Sequence, residues 1–152
     1  MSPTRLGYKM QLHPYNDYKE TNNMALIRKV RGFTPKTGKN CFLAETAVLI
    51  GDVTIGDDVS IGHNVTIHGA KICDGALVGM GAVVLDHAVV GEGAIVAAGS
   101  VVLSKTVIGA GELWGGTPAK FIKKVDPEQS KELNQKIARN YLMYSRWYEE
   151  KE

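Results

Sequence analysis

Histidine is the side chain best suited to acid–base or metal chemistry near neutral pH, and this chain carries four. Two fall close together in Gly62-His-Asn-Val-Thr-Ile-His-Gly69, as His63 and His68. His87 follows later, and His13 lies near the N-terminus. The residues between His63 and His68 alternate like a strand, and five extended residues span about 16 Å. Two imidazoles sharing one zinc must each bring a nitrogen within about 2.1 Å of it. Side chains from the two ends of one strand do not converge in that way. If both histidines bind metal, the simpler geometry shares each site between subunits, His63 of one chain meeting His68 of its neighbour. Sharing of that kind demands a symmetric ring.

The stretch that must position them runs from Leu49 to Gly116 and repeats every six residues. Counted from Val53, the positions are Val53, Val59, Val65, Lys71, Leu77, Val83, Val89, Ile95, Val101, Val107 and Leu113, aliphatic except at Lys71. A second column from Leu49 reads Leu49, Ile55, Ile61, Ile67, Cys73, Gly79, Leu85, Gly91, Ala97 and Leu103, aliphatic or small throughout. A period of six fits neither the 3.6 of a helix nor simple strand alternation. Hexapeptide repeats read as a parallel β-helix, in which three short strands make one triangular coil of roughly 18 residues. Gly, Asn and Asp suit the corners, where positive φ is required. One coil cannot bury its own core, so coils must stack. The fold expected is mainly β, a left-handed parallel β-helix with a C-terminal α-helix. A three-sided prism suggests a trimer as the ring. Cys73, in an inward column, is expected to be a small buried hydrophobe.

The ends differ from the middle. Residues 1–23 are polar, lack the repeat, and read as an extension, a tag or foreign sequence. Residues 24–125 form the β-helix domain. Its lead-in, 24–48, contains a strand from Leu26 to Val30 and reads as an atypical cap over open strand edges. Residues 126–152 form the helix, with Asp126 as N-cap and Pro127 at the first helical position. Leu133, Ile137, Tyr141, Tyr144 and Tyr148 make one apolar stripe, expected to pack on the prism or a neighbour together with Trp147. A formal net charge of +2 argues against a nucleic-acid surface. No apolar run approaches the roughly 20 residues that cross a bilayer, and no secretory signal is evident. Two cysteines, Cys41 and Cys73, make no disulfide framework. The expected setting is soluble, reducing and cytoplasmic, without a nucleic-acid or membrane partner.

The run Ile61 to Asp86, with Asn40 to Asp58 and Gly115-Gly-Thr-Pro-Ala-Lys120, resembles the γ-class carbonic anhydrase family of hexapeptide-repeat proteins. The resemblance covers roughly 24–125, and Gly-His-x4-His-Gly is its specific motif. It implies a homotrimer and a metal at each subunit interface, zinc in most members and iron or cobalt as alternatives. It also implies hydration of carbon dioxide to bicarbonate by a metal-bound hydroxide, with His63 and His68 as two of three histidine ligands. Members carry further coils, and the first ligand histidine, where this chain runs from Gly56-Asp-Asp58 straight into Val59-Ser-Ile-Gly-His63. Roughly two coils are missing, and two of the three histidines remain. The hexad phase continues across that junction, so the fold is expected to survive it.

A carboxylate could stand in for the missing ligand. With coils of about 18 residues, Asp86 falls above His68 and Glu45 falls below His63. His13 is a weaker candidate. Two other functions fit a hexapeptide β-helix: an acyl-coenzyme-A transferase, in which a histidine acts as general base, and a catalytically inactive scaffold. Carbon dioxide hydration set against acetyl-coenzyme-A consumption separates them, and inertness in both favours the scaffold.

Overall fold

In the computed structural model the described residues are 25–149, with the side chains of 138, 139 and 141–149 excepted. The expectations for residues 1–23, His13, Tyr141, Tyr144, Tyr148 and Trp147 lie outside what is described. Three strand columns form three faces. The first is β1 (Leu26–Arg28), β4 (Val48–Ile50), β7 (Thr66–His68), β10 (Val83–Val84) and β13 (Val101–Val102). The second is β2 (Lys36–Thr37), β5 (Thr54–Ile55), β8 (Lys71–Ile72), β11 (Val89–Val90) and β14 (Val107–Ile108). The third is β3 (Phe42–Leu43), β6 (Ser60–Ile61), β9 (Leu77–Val78), β12 (Ile95–Val96), β15 (Glu112–Gly115) and β16 (Lys120–Lys124). Every pairing is parallel except β15 with β16. The chain is thus a left-handed parallel β-helix of about five turns, followed by one helix, α1 (Pro127–Glu149).

Residues 25–48 are more regular than a cap. β1, β2 and β3 form a full coil paired in register with β4, β5 and β6. Its opening strand ends at Arg28, because Val30 and Phe33 bridge to each other around Arg31 and Gly32, both at positive φ.

The inward column corrects the count by sixes. Leu49, Ile55, Ile61 and Ile67 are buried as expected, but the column continues through Ile72, Val78, Val84, Val90, Val96, Val102 and Ile108. The step from Ile67 to Ile72 is five residues. The backbone shows the same slip independently. Corner residues at positive φ recur as Asp58, Asn64, Gly69, Gly75, Gly81, His87, Gly93, Gly99, Lys105 and Gly111, and only the step into Gly69 is five. One corner is a residue short. Beyond it, positions counted from Val53 leave the central core: Lys71 and Val107 are exposed and Val83 half-buried, while Leu77 and Ile95, on the third face, stay covered. Cys73 is likewise half-buried rather than in the core. The chain is regular across the junction from Gly56-Asp-Asp58 into Val59: Ile55 and Ile61 are six apart, both buried, and joined by a turn with Asp58 at φ 58°.

Asp126 and Pro127 start α1 as expected, with the Glu128 N–H donating to Asp126 Oδ1 at 3.1 Å. On its own chain the described part of the helix docks through polar side chains. Leu133, of the apolar stripe, is exposed, while Ser130 and Asn134 are buried. Ser130 Oγ donates to the Gly93 carbonyl at 2.9 Å, and Asn134 Nδ2 donates to that of Gly75 at 2.9 Å. Corner carbonyls pointing out of the stack need donors, and polar side chains one helical turn apart supply them on successive coils.

Candidate metal centre

His63 and His68 flank β7 on opposite edges of the first face. His63 sits in the turn after β6 and is half-buried; His68 is the last residue of β7 and is exposed. The strand between them holds them apart, as the sequence required. Val65 and Ile67 anchor it by pointing into the core at 0% exposure.

Each histidine has a neighbour from an adjacent coil. His68 Nδ1 lies 2.5 Å from Asp86 Oδ1, with the side chains 46% and 49% exposed. Such a contact places the proton on Nδ1 and leaves Nε2 available to another partner. The short corner creates the contact. Gly69 turns the chain early, and the next coil carries its full corner, Asp86-His87, above it. The His87 N–H donates to the Gly69 carbonyl at 2.9 Å. A Cβ on Gly69 would run into the Asp86 carboxylate, so the glycine is what leaves room for it. Asp86 therefore meets His68, as the coil count anticipated.

On the other edge, His63 Nδ1 lies 3.4 Å from Thr46 Oγ1, which also accepts from the Asn64 N–H at 2.9 Å. Glu45 is the preceding residue of the same turn and is half-buried. Thr46 is the contact that sequence reasoning missed; the turn's equivalence to His63-Asn64, one coil on, is the signal that could have found it. His87 is exposed at a corner with φ 62°.

Among the described residues no group of three or more His, Cys, Asp or Glu side chains is placed to hold a metal ion. One chain by itself therefore does not fit the zinc centre that the resemblance implies. The two cysteines offer no alternative. Cys41 is buried, its Sγ donating to the Gly56 carbonyl at 3.0 Å, and burial pushes its thiol up to about 11. Burial also raises the Cys73 thiol. Neither is a ready thiolate ligand at neutral pH. No described helix is long and apolar enough to cross a membrane.

Residues 34–69 and 69–104 match the family model described as bacterial transferase hexapeptide (six repeats). The chain is 50% identical over 88 residues to gamma carbonic anhydrase 2, mitochondrial, of Arabidopsis thaliana, a match covering 58% of this chain and 31% of that protein. It thus spans about a third of the length of that curated relative. Among solved structures, a hexapeptide transferase family protein from Anaplasma phagocytophilum superposes with a TM-score of 0.56 at 28% identity, covering 81% of this chain and 98% of that one. Serine acetyltransferase in complex with coenzyme A from Brucella abortus superposes with a TM-score of 0.50 at 33% identity, covering 60% and 40%. By its repeat and its stacked coils the chain is a hexapeptide-repeat β-helix, and over 88 residues its sequence is similar to that of a γ-class carbonic anhydrase.

Proposed function

We propose that this chain is the subunit of a γ-carbonic-anhydrase-like homotrimer, in which His63 of one subunit and His68 of the next hold a metal ion between them. The observation that carries the reading is the placement of the two histidines on opposite edges of one face of the prism. Three copies arranged around an axis could present the first edge of one face to the second edge of another. The identity of 50% over 88 residues to a named carbonic anhydrase supports the same reading. Zinc is the first choice of metal, with iron and cobalt as alternatives. A metal with an open coordination position lowers the pKa of bound water to about 7, which is the chemistry needed to hydrate carbon dioxide. In this chain His68 would offer Nε2 while Asp86 holds Nδ1. With Asp86 so engaged, the third donor would come from Glu45 or from solvent; Asp86 itself would serve only by leaving Nδ1. The unpaired thiols suit a reducing compartment such as the cytoplasm, although the curated relative is named as mitochondrial.

The test is metal content per chain after purification without chelator, followed by carbon dioxide hydration. The reading predicts metal that is lost in His63→Ala, and hydration lost with it. Hydration retained in His63→Ala would refute the assignment. A second reading is acyl transfer from coenzyme A, favoured by the serine acetyltransferase neighbour. Consumption of acetyl-coenzyme A without hydration would select it, and inertness in both assays would select a scaffold.

A further inference from the structure

Charge is unevenly spread along the stack. The first coil, residues 25–44, carries Arg28, Lys29, Arg31, Lys36 and Lys39 and no Asp or Glu. Residues 45–111 carry seven acidic side chains and two lysines. The net charge of +2 therefore averages a basic end with an acidic body. All five cations of the first coil are exposed, and none pairs with a carboxylate among the described residues.

Two carboxylates stand one coil above them. Asp57 accepts from the Lys39 backbone N–H at 2.7 Å, which offsets Lys39 in part. Asp52 follows Gly51, whose N–H donates to the Arg28 carbonyl at 2.9 Å. It sets a single charge beside Arg28, Lys29 and Arg31. Lys36 lies against Thr54, which is uncharged. The first coil thus keeps an excess of positive charge.

The same coil exposes apolar side chains. The Val30 N–H donates to the Phe33 carbonyl at 3.0 Å, and the Phe33 N–H to the Val30 carbonyl at 2.9 Å. Between them Arg31 and Gly32 have φ 51° and 86°. Two central residues at positive φ make the tight two-residue turn of a β-hairpin. Residues directly opposite in such a pair project to one side of the ribbon. Val30 is 41% exposed and Phe33 54%. A rigid turn therefore holds an aliphatic and an aromatic side chain together in water, with Arg31 at its tip and Lys29 beside it. Among the described residues no strand pairs beneath β1, β2 or β3, so this end of the stack is open.

We propose that the first coil docks on a bilayer surface bearing anionic phospholipids. Its cations would meet the headgroups, and Val30 and Phe33 would enter the boundary between headgroups and acyl chains. A nucleic acid would engage the same cations but leave the apolar pair in water, so the pair is what selects lipid. The expectation of no membrane partner rests on the absence of a spanning run, which does not bear on docking at one end of the stack. Prisms arranged side by side cover their edges and leave their ends open, so the proposed trimer would present this surface three times.

Co-sedimentation of the full chain with vesicles tests this. The expected result is binding to vesicles of equal parts phosphatidylcholine and phosphatidylserine, none to phosphatidylcholine alone, and loss of binding as salt rises. A basic residue near such a surface contributes about fivefold in partitioning. Lys29→Glu removes one charge and adds its opposite, so it should weaken binding by about 25-fold. Phe33→Ser should weaken it by about five- to tenfold through lost apolar burial. Both positions are exposed, so thermal melts should match the parent. Lys123→Glu, on β16 at the other end of the stack, should leave binding unchanged. The proposal is overturned if the chain does not bind the anionic vesicles, or if Lys123→Glu weakens binding as much as Lys29→Glu. It is equally overturned if Phe33→Ser binds as the parent does, since the surface then reads charge alone, as it would on duplex DNA. None of these variants alters His63 or His68, so the metal reading stands or falls separately.

Discussion

His68 and Asp86 stand on consecutive coils with Nδ1 and Oδ1 2.5 Å apart, and the pairing exists because the corner between them is one residue short. If His68 is a metal ligand, Asp86 fixes the ring that presents it. Asp86→Ala is expected to weaken zinc binding by about 10- to 100-fold, as loss of such outer partners does elsewhere. Both side chains are about half exposed, so the melting temperature should change little. Competition with a chromophoric chelator, beside a thermal melt, checks both parts. A large loss of stability with unchanged affinity would make the pair structural.

Gly69 has φ +64°, and a Cβ there would meet the Asp86 carboxylate. Gly69→Ala should therefore destabilise the fold by at least about 1–2 kcal/mol from the left-handed backbone alone. The contact with Asp86 adds to that. In the Asp86→Ala background the second part should disappear and the first remain. A double-mutant cycle by urea unfolding separates them.

His87 occupies a corner position that glycine fills at Gly75, Gly81, Gly93, Gly99 and Gly111. It is exposed, and its backbone N–H donates to the Gly69 carbonyl. His87→Gly should relieve about 1–2 kcal/mol of left-handed strain and cost about 0.5–1 kcal/mol in chain entropy. The net expectation is neutral to slightly stabilising, read as an unchanged or raised denaturation midpoint.

Burial raises the Cys41 thiol from 9.0 to about 11. The folded state thus favours the neutral thiol over the thiolate. The stability this contributes is fully present below about pH 9, and it is lost as pH rises through the interval up to about 11. Urea midpoints of the parent and Cys41→Ala should converge across that interval. Alkylation of Cys41 at pH 8 should be slow, because about one thiol in a thousand is ionised there.

The solenoid was legible because its signal is redundant: each inward aliphatic and each corner residue repeats the same statement every six positions. A single missing residue was not legible. After Ile67 both candidate columns stay aliphatic or small except at Lys71, so counting by sixes runs on past that one exception and through Cys73. Only the backbone sign at Gly69 and the burial of Ile72 expose the slip. The Asp86–His68 contact survived the miscount because a corner residue above a short corner can lean over it. The helix start at Asp126 and Pro127 was written in local chemistry. The polar part of the docking face was not: the sequence showed an apolar stripe, while corner carbonyls of the stacked coils are met by Ser130 and Asn134, a demand created only by the stacking.

The central claim is that one metal is shared by His63 and His68 of adjacent subunits, and mixed assemblies test it directly. Chains carrying His63→Ala and chains carrying His68→Ala should each bind no metal alone. Unfolded together and reassembled, every ring containing both kinds should regain one interface with both histidines, and hence one metal per mixed trimer by native mass spectrometry. Mixed trimers that stay metal-free while the parent binds metal would contradict sharing, as would a parent that remains a monomer and binds metal within one chain.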